Sequence, residues 1–266
     1  MKQHHIIIFY LIVSVKILNA GSCIYFPERT DFFSVSALEF RHYVYIGNEN
    51  SRLVNHGNLG VDFPVINYQA GDFRIYGAGA AAAAHLVMFP QNMKFAVDNF
   101  YAALAVYVDA VVAPSIKLRL YPVYHVSGHL GDGSPNDSIL TNARAVSGEM
   151  VRLEGECSLQ KWTTFSAGYS YYYHVCAQQG LTDRFDIAMR YQPVRENWFK
   201  PYVTIAGQFV HLHGWRTGID MEAGVEFVNS KSRGVGVGFR YFNQMHPGYY
   251  FDLREKSAGV QIDFIL

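Results

Sequence analysis

The sequence predicts an all-β protein: an antiparallel transmembrane β-barrel of about twelve strands, preceded by a cleaved signal peptide. The first observation is a period of two at the C-terminus, where apolar residues at 258, 260, 262, 264 and 266 alternate with others that are mostly small or polar. The second is the composition, because 19 Tyr, 23 Gly and only 17% charged residues are typical of membrane barrels. The third is a short apolar run near the N-terminus.

The N-terminal segment has the layout of a secretory signal peptide. Lysine and histidine residues precede an apolar run at 6–15. This run is shorter than the roughly 18–20 residues that a membrane-spanning helix requires, so a retained helix is the less favoured alternative. We therefore expect a signal peptide at 1–22, an N-terminal periplasmic segment at 23–35 and a barrel at 36–266.

Alternating residues indicate twelve candidate strands. The predicted strands are 36–46, 58–67, 72–88, 100–113, 115–129, 144–159, 162–177, 183–193, 199–212, 216–228, 233–243 and 257–266. The first two are weak, so ten strands are the alternative count. The small residues at 77–84, GAGAAAAA, belong to the third strand in this interpretation. A short helix at 79–88 is the alternative, because alanine favours helices.

A soluble β-sandwich would also alternate, and the connections favour a membrane barrel instead. Long connections at 47–57, 89–99, 130–143 and 244–256 alternate with short ones, as external loops alternate with periplasmic turns in outer-membrane barrels. One face of the strands then lines a lumen. Its charged residues are Arg119, Arg152, Glu154, Glu156, Arg184, Asp186, Arg190, Asp220, Glu222, Glu226, Arg240 and Asp263. Because both signs are present, we expect ion pairs across a narrow or plugged lumen.

The charge balance limits the classes of partner. With 22 basic and 22 acidic residues, the chain offers no field for a polyanion, so we expect no nucleic-acid binding. The expected contacts are outer-membrane lipid, the barrel-assembly machinery through the C-terminal strand, and a small solute in the lumen. Cys23 follows the predicted cleavage region, and its lipidation is left open because Ala20 replaces the bulky aliphatic residue of a lipoprotein box.

The least generic segment is 124–132, YHVSGHLGD. Strict alternation from Arg119 places His125, Ser127 and His129 on the lumenal face, with Asp132 in the loop that follows. These five residues form the candidate binding site at the external mouth. The segment resembles an uncharacterised family of bacterial outer-membrane barrels that carry a Y-H-x-S-S-H-L-G-D motif. The resemblance covers 36–266 and implies a fold and a location, without an activity.

A second resemblance implies chemistry. His-x-Ser on a strand is similar to the outer-membrane phospholipase and the lipid A deacylase, which implies His125 as base and Ser127 as nucleophile for a lipid ester. In those enzymes an Asn or Glu follows the histidine by about fourteen residues, whereas Ile139 stands there in this chain. Glu149 lies nearby in sequence but off that spacing. Those enzymes also place the pair outward, against lipid, and strict alternation places it inward here.

The leading functional hypothesis is therefore a narrow pore or solute-binding barrel in the bacterial outer membrane, without enzymatic activity, cofactor or metal. The alternatives are a Ser–His lipid hydrolase and a structural or surface-interaction barrel. His125, His129 and Asp132 are metal-binding types, but their spacing does not ensure the three or four converging ligands that zinc needs. The direction of the His125 and Ser127 side chains separates the first hypothesis from the second.

Overall fold

The chain folds into a closed antiparallel barrel. The structure is a computed structural model that describes residues 37–45, 52–70, 74–91, 94–130, 147–160, 162–176, 180–193, 198–229, 234–245 and 254–265. Its strands are β1 Ala37–Tyr45, β2 Arg52–Ala70, β3 Arg74–Gln91, β4 Lys94–Ala113, β5 Ile116–Leu130, β6 Ser147–Gln160, β7 Thr163–Cys176, β8 Leu181–Tyr191, β9 Phe199–Leu212, β10 Trp215–Val228, β11 Gly234–Met245 and β12 Arg254–Ile265. Each strand pairs with its sequence neighbours, and β1 pairs with β12 to close the barrel. The predicted segments 1–22 and 23–35, including Cys23, lie outside the described residues.

The barrel is polar inside and apolar outside. In β10, Ile219 and Met221 are about 40% exposed on the outer surface, whereas the alternate residues Asp220 and Glu222 are buried. This is the reverse of a soluble sandwich, in which the charged face meets water. An apolar exterior and a closed ladder, which leaves no strand edge unpaired, are what a bilayer requires. The predicted class, an all-β antiparallel transmembrane barrel, is confirmed. The described part of the chain contains no helix able to span a membrane.

Two local predictions about β3 and β4 can now be settled. The GAGAAAAA stretch is a strand, and its residues pair in register with β4, as Ala82 does with Leu104. The helix alternative is wrong. The predicted long connection at 89–99 is also wrong, because the ladder continues through it and pairs Pro90 with Phe95. Irregular alternation around a register shift at Val87–Met88 hid this continuation in the sequence.

The described lumen is filled by paired charges, as expected. The Arg119 guanidinium donates from Nε and Nη2 to both oxygens of Asp109, at 2.6 and 2.8 Å. Arg152 donates to Glu154 at 2.6 Å and to Asp186 at 2.9 Å, and Arg240 pairs with Asp220. All of these arginines are almost completely buried. Each pair replaces hydration that a charge loses inside the barrel.

Aromatic residues mark the two ends of the barrel wall. Trp162 and Trp198 lie beside the connections that join β6 to β7 and β8 to β9, and both are exposed. At the opposite end, Tyr171, Tyr173 and Trp215 are exposed near the tops of β7 and β10. Such belts are typical of the two membrane–water interfaces. The end with the Tyr171 belt is also the end at which residues 131–146 connect β5 to β6, and we refer to it as the loop end.

Candidate functional site

A β-bulge in β5 decides where the His-x-Ser pair points. Tyr121 pairs with Arg152 and Tyr124 with Met150, so β5 spends three residues where β6 spends two. The β4 ladder shows the same extra residue between Leu120 and Val123. Tyr121 and Tyr124 are both buried in the lumen. One extra residue reverses the facing of every later side chain on the strand.

The bulge places His125 and Ser127 on the outer wall of the barrel, so their predicted lumenal position is wrong. In register, His125 pairs with Leu104, which is 60% exposed, and Ser127 pairs with Ala102. The intervening Val126 pairs with Ala103, which is buried inside. Strict alternation failed because it ran across the bulge at Pro122.

The five residues of the predicted mouth site are thus divided between two faces. Arg119 lies inside, as predicted, and is held by Asp109. His125 and Ser127 lie outside. His129 is in β5, but its side chain is outside the described part, and Asp132 lies outside the described residues altogether.

Glu149 of β6 completes the arrangement on the outer wall. It is the register partner of His125, and its Oε1 lies 3.8 Å from His125 Nδ1. Both side chains are about 40% exposed at the surface. On the other side of Glu149, the register partner is His174 of β7, whose Nε2 lies 3.9 Å from Cys176 Sγ. Glu149 therefore lies between two outward-facing histidines.

This geometry has the elements of a Ser–His–acid triad. A carboxylate that faces Nδ1 holds the proton there, which leaves Nε2 as the lone-pair nitrogen that accepts a proton. Ser127 follows His125 by two residues on the same face of the strand, so its hydroxyl shares the outer surface with the imidazole. The His125–Glu149 separation is longer than a hydrogen bond, as is common in catalytic sites before a substrate is bound.

Glu149 and His174 were not predicted as site residues. Glu149 stands 24 positions after His125 in the sequence, and only the β5–β6 register brings the two together. The bulge itself had a sequence signal. Proline inside a strand lacks the ladder N–H and is largely confined to edges and bulges, so Pro122 indicated a bulge before the motif.

The site lies at the loop end of the wall. Ser127 is eleven residues beyond Ile116, the first residue of β5, which corresponds to roughly 28 Å of height at a tilt of about 40°. The apolar band of such barrels is about 25 Å tall. The hydroxyl is therefore near the boundary between the acyl chains and the polar region. In the described part of the chain, no group of three or more His, Cys, Asp and Glu side chains is placed to hold a metal ion.

Comparison with known proteins yields structural similarity at low sequence identity. No family model matches the chain, and no curated protein matches it. Among solved structures, the chain is similar to the β-domain of the Bordetella autotransporter BrkA (13% identity, TM-score 0.45, covering 86% of this chain and 98% of that one). It is also similar to the transport unit of the Escherichia coli autotransporter AIDA-I (14%, 0.43, 95% and 97%). A mutant Rh. blastica porin aligns at 9% identity and a TM-score of 0.36, covering 87% of this chain and 99% of that one.

Proposed function

We propose that this protein is an outer-membrane hydrolase of lipid esters, with Ser127 as nucleophile, His125 as general base and Glu149 as the residue that positions His125. The observation that carries the proposal is the β5 bulge, which turns the His-x-Ser pair outward beside a carboxylate that faces Nδ1. The outward direction is the one in which a bilayer presents its ester groups. The resemblance to lipid-hydrolysing barrels now agrees with the facing of the pair.

The proposed reaction is an acyl transfer in two steps. His125 Nε2 takes the proton of the Ser127 hydroxyl as Oγ attacks the ester carbonyl carbon, and it returns that proton to the departing alkoxide. Water then attacks the acyl-serine with the same base, which releases the fatty acid and restores Ser127. Glu149 keeps the proton on Nδ1 and stabilises the imidazolium that forms in each step.

The outer membrane is the location that fits this barrel. The chain begins with a predicted export signal, the wall is apolar, and both termini of the barrel lie at the end opposite the loop end. We place that end in the periplasm, where an exported chain arrives and where the C-terminal strand would meet the assembly machinery. The loop end is then external, and the ester that reaches Ser127 belongs to a lipid of the external leaflet.

The decisive experiment is hydrolysis of a phospholipid by the refolded barrel in detergent micelles. We expect Ser127→Ala to lower kcat by about 10³-fold or more, and His125→Asn by a similar factor, because residues of a triad act as a unit. Ser147→Ala is the matched control, since Ser147 is the register partner of Ser127 on the same outer face. We expect it to retain activity.

The proposal is refuted if wild-type barrel, folded by its gel mobility, releases no fatty acid from phospholipid, or if Ser127→Ala is as active as wild type. Activity that follows Ser147 instead would assign a different nucleophile. The assay is run with and without calcium, because a cation at the interface could neutralise a phosphate near the ester.

A pore or solute-binding role is the second candidate. Arg190 Nη1 and Arg240 Nη1 are buried in the lumen without a hydrogen-bond partner, which favours water or a solute inside the barrel. Against an open path, the described lumen is filled by ion pairs. Single-channel conductance of Ser127→Ala in a planar bilayer tests this role independently of hydrolysis, and steady conductance steps would support it.

A further inference from the structure

A second polar cluster lies on the outer wall near the loop end, apart from His125. In register across four strands, Tyr171 of β7 pairs with Asp183 of β8, Asp183 with His211 of β9, and His211 with Trp215 of β10. Tyr171 and Trp215 are 51% and 61% exposed. An acid and a histidine are therefore flanked by aromatic side chains on the lipid side of the barrel.

The carboxylate of Asp183 is held by neutral donors. The Tyr169 hydroxyl donates to Oδ1 at 2.5 Å, and the Thr182 hydroxyl donates to Oδ2 at 2.5 Å. Thr182 has one hydroxyl proton, so in its contact with His211 at 2.9 Å the histidine Nδ1–H is the donor and the threonine oxygen the acceptor. The Trp215 ring packs against the imidazole, with centroids 5.2 Å apart. The cluster is thus ordered around one carboxylate.

The charge of Asp183 is not balanced by a cationic side chain. In the lumen, Asp109, Asp186 and Asp220 each pair with an arginine, whereas no lysine or arginine of the described residues pairs with Asp183. A carboxylate offers about four lone-pair positions, of which Tyr169 and Thr182 use two. An unbalanced charge on an apolar wall is costly, and a cationic ligand would remove that cost.

We propose that this cluster binds the ammonium group of a zwitterionic lipid headgroup, such as ethanolamine or choline. The ammonium would pair with the open side of the Asp183 carboxylate, and the exposed aromatic faces of Tyr171 and Tyr169 would add cation–π attraction. The site is three strands from His125, a separation of about 14 Å. The lipid bound here is therefore not the one whose ester faces Ser127, and the inference does not depend on the proposed hydrolase.

The test is lipid binding to the refolded barrel in an uncharged maltoside detergent, followed by native mass spectrometry and tryptophan fluorescence. The Ser127→Ala background prevents loss of the probe by hydrolysis. The probes are dihexanoyl phosphatidylethanolamine and dihexanoyl phosphatidylglycerol, which share chains and phosphate and differ in the ammonium. Asp183→Asn is the test variant, and Glu149→Gln, which removes the other outward carboxylate of β5–β10, is the matched control.

We expect the barrel to prefer the ethanolamine lipid, and Asp183→Asn to weaken its binding roughly tenfold while leaving the glycerol lipid unchanged. Glu149→Gln should keep the preference. Competition by tetramethylammonium chloride would show that a free ammonium suffices, whereas its failure would assign recognition to the whole headgroup. Equal binding of the two lipids, a preference that survives Asp183→Asn, or displacement of the ethanolamine lipid by calcium alone would overturn the inference.

Discussion

Replacing Arg119 with leucine tests whether the paired charges inside the barrel hold it together. The guanidinium makes a two-pronged bond to Asp109 and lies 3.9 Å above the ring of Tyr107. Its side chain is 2% exposed and that of Asp109 is 6% exposed. Removing it leaves a carboxylate in the barrel interior without its bidentate partner.

The expected loss in the free energy of unfolding is about 3–5 kcal/mol, the usual cost of removing one member of a buried ion pair. Asp109→Leu should cost a similar amount. The double variant should cost clearly less than the sum, by about 2 kcal/mol or more, because two apolar side chains leave no isolated charge. Lys117→Leu is the control: its pair with Glu156 is 3.1 Å long, but the lysine is 32% exposed, so we expect a loss of about 1 kcal/mol or less.

The assay is equilibrium unfolding in guanidinium with the barrel in detergent micelles, followed by tryptophan fluorescence and by gel mobility of the folded form. A loss below about 1 kcal/mol for Arg119→Leu would contradict the argument. So would a double variant whose loss equals the sum of the two single losses, since the charges would then be uncoupled.

Three further outcomes follow from the same architecture. Ile205→Lys, in the middle of the outer face of β9, should cost about 2–4 kcal/mol of unfolding free energy, and Trp198→Lys at the end of the wall about 1 kcal/mol or less; equal losses would deny a membrane-depth effect. A nitroxide at position 127 should collide with oxygen more often than one at 126, in a background without native cysteines; the opposite order would put Ser127 inside. Deleting Val123 should remove the bulge, reverse that order and abolish hydrolysis in a barrel that still folds; retained hydrolysis would separate activity from facing.

The barrel and its inside-out polarity were predictable because each strand repeats one simple pattern. Val260 and Ile262 point out and Gln261 and Asp263 point in, as the alternation at the C-terminus predicted. The period of two is local and each residue reports its own face. Closure then follows from the need to pair every backbone group in a bilayer.

The site was predicted as residue types but placed on the wrong face. Facing along a strand is a running count, so one inserted residue at Pro122 reverses every assignment beyond it. The role of Glu149 depends on the β5–β6 register across a connection of unrelated sequence, and no spacing rule within one strand contains it. The charge row of Asp183 and His211 has the same origin, since it is formed by neighbours on separate strands.

Labelling with a long-chain fluorophosphonate, read by peptide mass spectrometry, tests the central claim most directly. This reagent reacts with a serine that an adjacent base activates. The account predicts one adduct, on Ser127 of the refolded barrel, which is lost in His125→Asn and slowed in Glu149→Gln. A folded wild-type barrel that remains unlabelled, or that is labelled on Ser147 instead, would contradict it.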